Sequence, residues 1–268
     1  MVPDSRSIEL NSGSLGAGLL IINADDWGRD VETTDRILEC ALRGVISSAS
    51  AMVFMEDSDR AAVLAREHNV DVGLHLNFTT PFTAREIPNR LGEQQERLAR
   101  FLLHNRLSQV LYHPGLADSF EYVVRAQLDE FCRTYAKEPS RVDGHHHMHL
   151  CANVLLGRLL PFGTIARRNF SFQPGEKSVA NRLYRSITDR VLARRHQLTD
   201  FFFSLPPIDL PDRLKRIFGI ARQHVVELET HPVNPGEYQF LHGGEFRSLS
   251  DGVNVAVSFQ GFLRAAAL

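Results

Sequence analysis

Leu19-Leu20-Ile21-Ile22-Asn23-Ala24-Asp25-Asp26-Trp27-Gly28 is the stretch on which the fold class turns. Four consecutive apolar residues ended by polar ones have the length of a strand, and a strand without alternation is one buried on both faces, as in parallel sheets. The run stops at two carboxylates and a glycine, so the strand empties into a loop that carries titratable groups.

The same unit recurs downstream. Residues 32–43 place Ile37, Leu38, Ala41 and Leu42 at helical spacing, with Gly44 as a stop. Residues 45–54 are small and β-branched, hence a strand; 59–68 read as a helix and 70–78, VDVGLHLNF, as a third strand. Residues 79–97 contain Pro81, Pro88 and Gly92 and read as a long connection of the kind that carries function. Residues 117–135 form the clearest amphipathic helix, through Phe120, Val123, Val124, Leu128, Phe131 and Cys132. Further strands are expected near 141–145, 164–172, 200–205 and 225–229, and helices over 154–160, 181–195 (basic and exposed) and 211–223. Alternating strands and helices predict an α/β fold with a parallel sheet, closed into a barrel or doubly wound. Without an internal repeat or a shift in composition, residues 19–268 are expected to form a single domain behind a flexible polar leader, residues 1–18.

The chain has 268 residues, 30 Lys+Arg against 32 Asp+Glu for a formal net charge of −2, and 43% hydrophobic residues. A chain of this size buries a large core without staples. The near-neutral balance argues against an electrostatic grip on nucleic acid or on an anionic membrane. Cys40, Cys132 and Cys151 form no CxxC pair and fit a reducing compartment. There is no secretory leader pattern and no apolar run of the ~20 residues a membrane span needs. A cytoplasmic protein without an integral membrane segment is therefore expected. The unusual count is 12 histidines.

Six of the histidines are not scattered. Asp25 and Asp26 follow the first strand, His75 lies within the third, His145, His146, His147 and His149 follow Arg141-Val142-Asp143, and His231 follows the last. In a parallel barrel all strand C-termini open on one face, where these groups would converge. Carboxylates and imidazoles without a thiolate suit a catalytic divalent cation. One carboxylate and two imidazoles would hold it, leaving Asp25 to take a proton from water. Adjacent carboxylates on an extended backbone point to opposite faces, so Asp25 and Asp26 should differ in role. His145, His147 and His149 would share one strand face, or His145 and His149 one helical turn; spacing leaves both open. His68, His104, His113, His196, His224 and His242 read as ordinary structural or surface residues, either aspartate could cap the next helix, and the cysteines read as core filling.

NADDWG (23–28), VGLHLNFT (72–79), VDGHHHMHL (142–150) and ELETHP (227–232), in this order and spacing, resemble the four signature blocks of the YdjC/ChbG-type carbohydrate deacetylases. The resemblance covers nearly the whole chain, with a hopanoid-biosynthesis-associated subgroup as one closer relative. It implies a single-domain, distorted (β/α) barrel of the polysaccharide-deacetylase type. It also implies metal ligands Asp26, His75 and His145, a general base Asp25 and a general acid His231, with Asp143, Glu227 and His147 orienting the ligands. The implied activity is metal-dependent removal of an N-acetyl group from a saccharide or glycolipid head group, with one divalent ion, Mg²⁺ or Zn²⁺, and a homodimer as one oligomeric state. Departures from the pattern fall beside the site: Trp27 replaces the usual Phe, Arg29-Asp30 replaces a small or hydroxyl-bearing pair, and Val233-Asn234-Pro235-Gly236 follows the His-Pro block. They bear on substrate choice, as do Pro81, Phe82 and Arg167 or Arg168 where the rim loops would meet substrate, with Trp27 either a sugar platform or packing. The alternatives are a metal-dependent phosphoesterase or amidohydrolase, whose His-x-His usually ends the first strand where this chain has Asp-Asp, and a catalytically degenerate metal-binding barrel.

Overall fold

The computed structural model describes residues 18–105, 107–172 and 176–259. The leader expected over residues 1–18 lies outside them except for Gly18, whose N–H donates to the Arg222 carbonyl.

The strands are β1 (Leu19–Trp27), β2 (Ser48–Ala51), β3 (Val72–Leu76), β4 (Arg141–Gly144), β5 (Ile165–Ala166), β6 (Phe201–Ser204) and β7 (Val225–Thr230). All pair in parallel, in the order β5-β4-β3-β2-β1-β7-β6. That order is cyclic except between β5 and β6. There the sheet is bridged by single hydrogen bonds, Ala166 N–H to the Gln197 carbonyl and Ser171 N–H to the Phe202 carbonyl. The fold is thus a curled parallel sheet, a distorted (β/α) barrel. The apolar run of β1 behaves as its composition requires, with Leu20, Ile21 and Ile22 fully buried.

Helices α1 (Val31–Leu42), α2 (Ser58–Glu67), α3 (Asn89–His104), α4 (Leu107–Val110), α5 (Ala117–Tyr135) and α6 (Ala152–Leu156) come before β5. Helices α7 (Val179–Ala193), α8 (Pro211–Ala221), α9 (Pro235–His242) and α10 (Gly244–Ser250) complete the set among the described residues. Asp30 caps α1, its side chain accepting the Thr33 N–H at 2.8 Å. The helix expected over 117–135 is α5. Its buried Gln127 accepts the Asn77 N–H at 2.7 Å and donates to the Asn77 carbonyl at 3.1 Å, which fixes the exit of β3 just beyond His75.

Two expectations change. The connection expected over 79–97 ends at Pro88, because Leu91, Gln95, Leu98 and Leu102 give α3 a buried stripe at spacings of three and four. The strand expected over 164–172 is reduced to two residues. Arg168 and Asn169 turn to Asp189 of α7, so side chains replace the ladder there.

Candidate metal-binding active site

At Asp26 the strand β1 bulges: the register with β2 shifts between Ala24 and Trp27, and Asp26 takes a left-handed φ of 72°. A non-glycine residue in that region is held by its surroundings, and such strain concentrates at functional sites. The bulge overturns the expectation that neighbouring carboxylates diverge. His75 Nε2 lies 3.4 Å from Asp26 Oδ1 and 3.8 Å from Asp25 Oδ2, so both aspartates face one imidazole.

His145, which follows β4, brings its Nδ1 to 3.0 Å from the same Asp26 Oδ1. That oxygen is buried and makes no hydrogen bond of acceptable geometry, although two imidazole nitrogens point at it. Asp26, His75 and His145 each offer a ligand atom within 4.8 Å of the others. His75 is turned to the group by Asp143, which takes its Nδ1 at 2.8 Å and leaves Nε2 free to face Asp26. Asp143 is in turn held by the Ser50 hydroxyl at 2.6 Å and by Arg167 at 2.9 Å.

Asp25 is held differently. Arg167, fully buried just after β5, donates Nη1 to Asp25 Oδ2 and Nη2 to Asp25 Oδ1, both at 2.7 Å. The same guanidinium reaches Glu227 at 2.8 Å and Glu229 at 3.3 Å, so four carboxylates surround one cation. Asn23 Nδ2 adds a hydrogen bond to Asp25 Oδ1 at 2.8 Å. Asp25, Glu229 and His231 present atoms within 4.8 Å of one another, which puts His231 on the side of the site that holds Asp25 and Glu229. The loop carrying His231 is fastened by Glu237 of α9, which accepts the His231 N–H at 2.8 Å and the Asn234 amide at 2.8 Å.

The electrostatics call for a cation. Burial alone would raise the Asp26 carboxyl, but the imidazoles of His145 and His75 close beside it hold it below the ordinary carboxylate range. Burial would lower His75, but the charges of Asp25 and Asp143, its hydrogen bond to Asp143 and the nearby Asp26 push it up to about 10. Glu229 is raised well above its usual range, first by burial and then by Asp25, against the pull of Arg167. Asp25, Asp26, Asp143, Glu227 and Glu229 are all buried; Arg167 is ion-paired with four of them, and the partly exposed Arg29 reaches Asp26 Oδ2 at 3.1 Å. A divalent ion would satisfy the orphaned Oδ1 of Asp26, and an oxygen-nitrogen-nitrogen donor set fits such an ion.

The His145–Leu150 segment is neither a strand nor a regular helical turn, because His146 and His147 have left-handed φ values of 53° and 57°. The histidines consequently part company. His149 donates Nε2 to the Arg167 carbonyl at 2.9 Å, and burial drops it to about 4. His147 stands edge-on to the stacked pair Phe170–Phe202 and 3.5 Å from Glu229, so it meets none of Asp26, His75 and His145. Glu227 likewise serves Arg167, and Trp27 is fully buried in the core, which settles it as packing. Arg167, expected with Arg168 on a rim loop facing substrate, is instead a buried clamp, and residues that the sequence reading passed over are Glu229, Asn23 and Glu237. Only the position of Arg167 at a strand exit could have flagged it.

Comparison with known proteins agrees with this arrangement of blocks. A chitooligosaccharide deacetylase of Proteus mirabilis (strain HI4320) is 26% identical over 238 residues, covering 80% of this chain and 90% of that one. A carbohydrate deacetylase of Geobacillus stearothermophilus is 32% identical over 135 residues, and there the match spans about half of each protein, 50% and 51%. A crystal structure from Enterococcus faecalis V583, described as a candidate cellobiose-phosphate cleavage protein, superposes with a TM-score of 0.65 over 92% of this chain and 99% of that one. At 17% identity that likeness speaks to the fold alone. A family model described as YdjC-like protein matches residues 19–248, and the chain belongs to that family.

Proposed function

We propose that the protein is a metal-dependent carbohydrate N-deacetylase, which hydrolyses the acetamide of an N-acetylated sugar or glycan to acetate and a free amine. The observation that carries this reading is the pairing of two differently held aspartates: Asp26 facing His75 and His145, and Asp25 gripped by Arg167 beside His231. The deacetylases of Proteus mirabilis and Geobacillus stearothermophilus support the substrate class.

In this reading Asp26, His75 and His145 hold one divalent ion, Mg²⁺ or Zn²⁺. Such an ion supplies Lewis-acid polarisation of the amide carbonyl and lowers the pKa of the attacking water. Asp25 accepts the proton of that water, and Arg167 fixes the direction in which its oxygens point. His231, half-buried at the far side of Asp25, gives a proton to the leaving nitrogen. Asp143 keeps His75 in the tautomer that presents Nε2 to the site. We place the protein in the cytoplasm, in keeping with three free cysteines. The fold of residues 19–259 reads as one catalytic domain.

The test is acetate release from N-acetylated chitooligosaccharides and from lipid-linked N-acetyl sugars, with phosphate esters as the contrast. Acetate release that depends on added divalent metal is the expected result. Ester cleavage without acetate would transfer the assignment to a phosphoesterase.

A further inference from the structure

The basic helix α7 is turned inside out. Its most exposed line runs through Val179, Leu183 and Ile187, which are 72%, 57% and 50% exposed, and continues through Arg190 and Arg194. An ordinary surface helix buries that apolar stripe. Exposed apolar side chains gather on both sides of it. Near its N-terminal half, α4 and the residues just after it leave Leu107, Leu111 and Tyr112 exposed, and Gln109 and Val110 share a cavity of about 480 Å³ with Asn181, Tyr184 and Arg185. Near its C-terminal half stands Phe162, 75% exposed with the Arg195 guanidinium 5.3 Å over its ring. His146 and His147 line the same cavity, so this face opens beside the candidate site.

The charge is as one-sided as the exposure. Residues 176–196 carry six cationic side chains, Lys177, Arg182, Arg185, Arg190, Arg194 and Arg195, against Glu176 and Asp189. That is a local net of +4 in a chain of net −2, which leaves −6 on all other residues together. Asp189 is paired with Arg168 and also attracts Arg185, and Glu176 is paired with Arg216. Near-neutrality of the whole chain therefore conceals one basic, apolar face.

We propose that this face, centred on α7, docks on an anionic lipid bilayer and sets the mouth beside His146 and His147 against the membrane surface. An apolar stripe flanked by arginines is the chemistry of an interfacial helix, burying its leucine-like side chains among acyl chains while the guanidinium groups meet acidic headgroups. A second copy of the chain fits less well. A twofold contact through this face would bring two surfaces of local net +4 together. Among the described residues no helix is long and apolar enough to cross a membrane, so the contact is one of lying on the surface. The inference stands on the surface alone and not on the deacetylase reading.

The experiment is co-flotation of the full chain with vesicles of phosphatidylcholine alone and of phosphatidylcholine with an equal part of phosphatidylglycerol, at low and high salt. Expected is binding to the anionic vesicles only, released by salt. Leu183→Glu with Ile187→Glu, and separately Arg190→Glu with Arg194→Glu, should each weaken it by more than about tenfold. Leu183→Ser and Arg190→Gln serve if a charge reversal lowers Tm. Acetate release from a soluble chitooligosaccharide should be the same in all variants, which separates this test from that of the reaction. No binding to anionic vesicles at low salt, or binding that ignores both sets of substitutions, would overturn the proposal. So would light scattering that shows a dimer converted to monomer by the same substitutions.

Discussion

Arg167 and Asp25, 142 positions apart in the chain, meet through two parallel hydrogen bonds of 2.7 Å in the centre of the barrel. A fork of this kind fixes a carboxylate in direction as well as in place. Because the same guanidinium also reaches Asp143, the residue that orients His75, one side chain ties the candidate base to the candidate metal ligands.

Replacing Arg167 separates its two roles. Arg167→Lys keeps a positive charge but loses the fork, and turnover is expected to fall by at least about 100-fold while metal occupancy stays near that of the parent. Arg167→Met leaves four buried carboxylates without their partner, and urea denaturation should show a loss on the order of 3–5 kcal/mol. A fully active Arg167→Lys protein would remove the clamp from the account.

The two aspartates should fail in opposite ways. Asp25→Asn is expected to retain metal and lose about 10²–10⁴ in kcat, the usual contribution of a positioned base. Asp26→Asn, His75→Ala and His145→Ala are expected to lose metal first, as measured by elemental analysis after dialysis. Undiminished occupancy in the His75 and His145 variants would dissolve the ligand set.

Metal binding should release a proton. His75 is held at about 10 by Asp25 and Asp143, so at neutral pH it is protonated without metal, and an ion can be taken up only when that proton leaves. Apparent affinity should then rise roughly tenfold per pH unit from 7 toward 10, with about one proton released in calorimetry across buffers of different ionisation enthalpy. Saturating metal at about 100 times Kd should add about 2.7 kcal/mol of stability. Affinity independent of pH in that window would show that His75 is not a ligand.

The sequence exposes what lies at strand ends and conceals what strands bring together. Asp25, Asp26, His75, His145 and His231 each close or interrupt an apolar run, so their rank as candidates followed from strand position. Closure into a barrel rested on the family resemblance, whereas the parallel α/β class was legible because strand and helix periods alternate cleanly from 19 to 78. Arg167 was not, since its partners Asp25 and Glu227 lie 142 and 60 positions away and no period marks it. The bulge at Asp26 was invisible for another reason: a left-handed aspartate has no side-chain signature, unlike a glycine. The histidine run misled for the same reason at His146 and His147, where two left-handed residues defeat both the strand and the helix reading.

His149 supplies the stability prediction. It is fully buried, it donates to the Arg167 carbonyl, and burial lowers it to about 4. An imidazole whose folded pKa lies below its unfolded value of ~6.5 is neutral in the native state and takes up a proton first in the unfolded chain. Its contribution is therefore complete above pH 6.5 and is lost as pH falls from there through 4, by about 3 kcal/mol in all. His75, raised rather than lowered, contributes alike in parent and variant, so its effect cancels in the comparison. His149→Gln retains a donor for the Arg167 carbonyl and cannot titrate. Its unfolding free energy, followed by urea melts between pH 7 and pH 4, should fall by about 3 kcal/mol less than that of the parent. Equal slopes in the two proteins would mean that His149 is not held neutral behind Arg167.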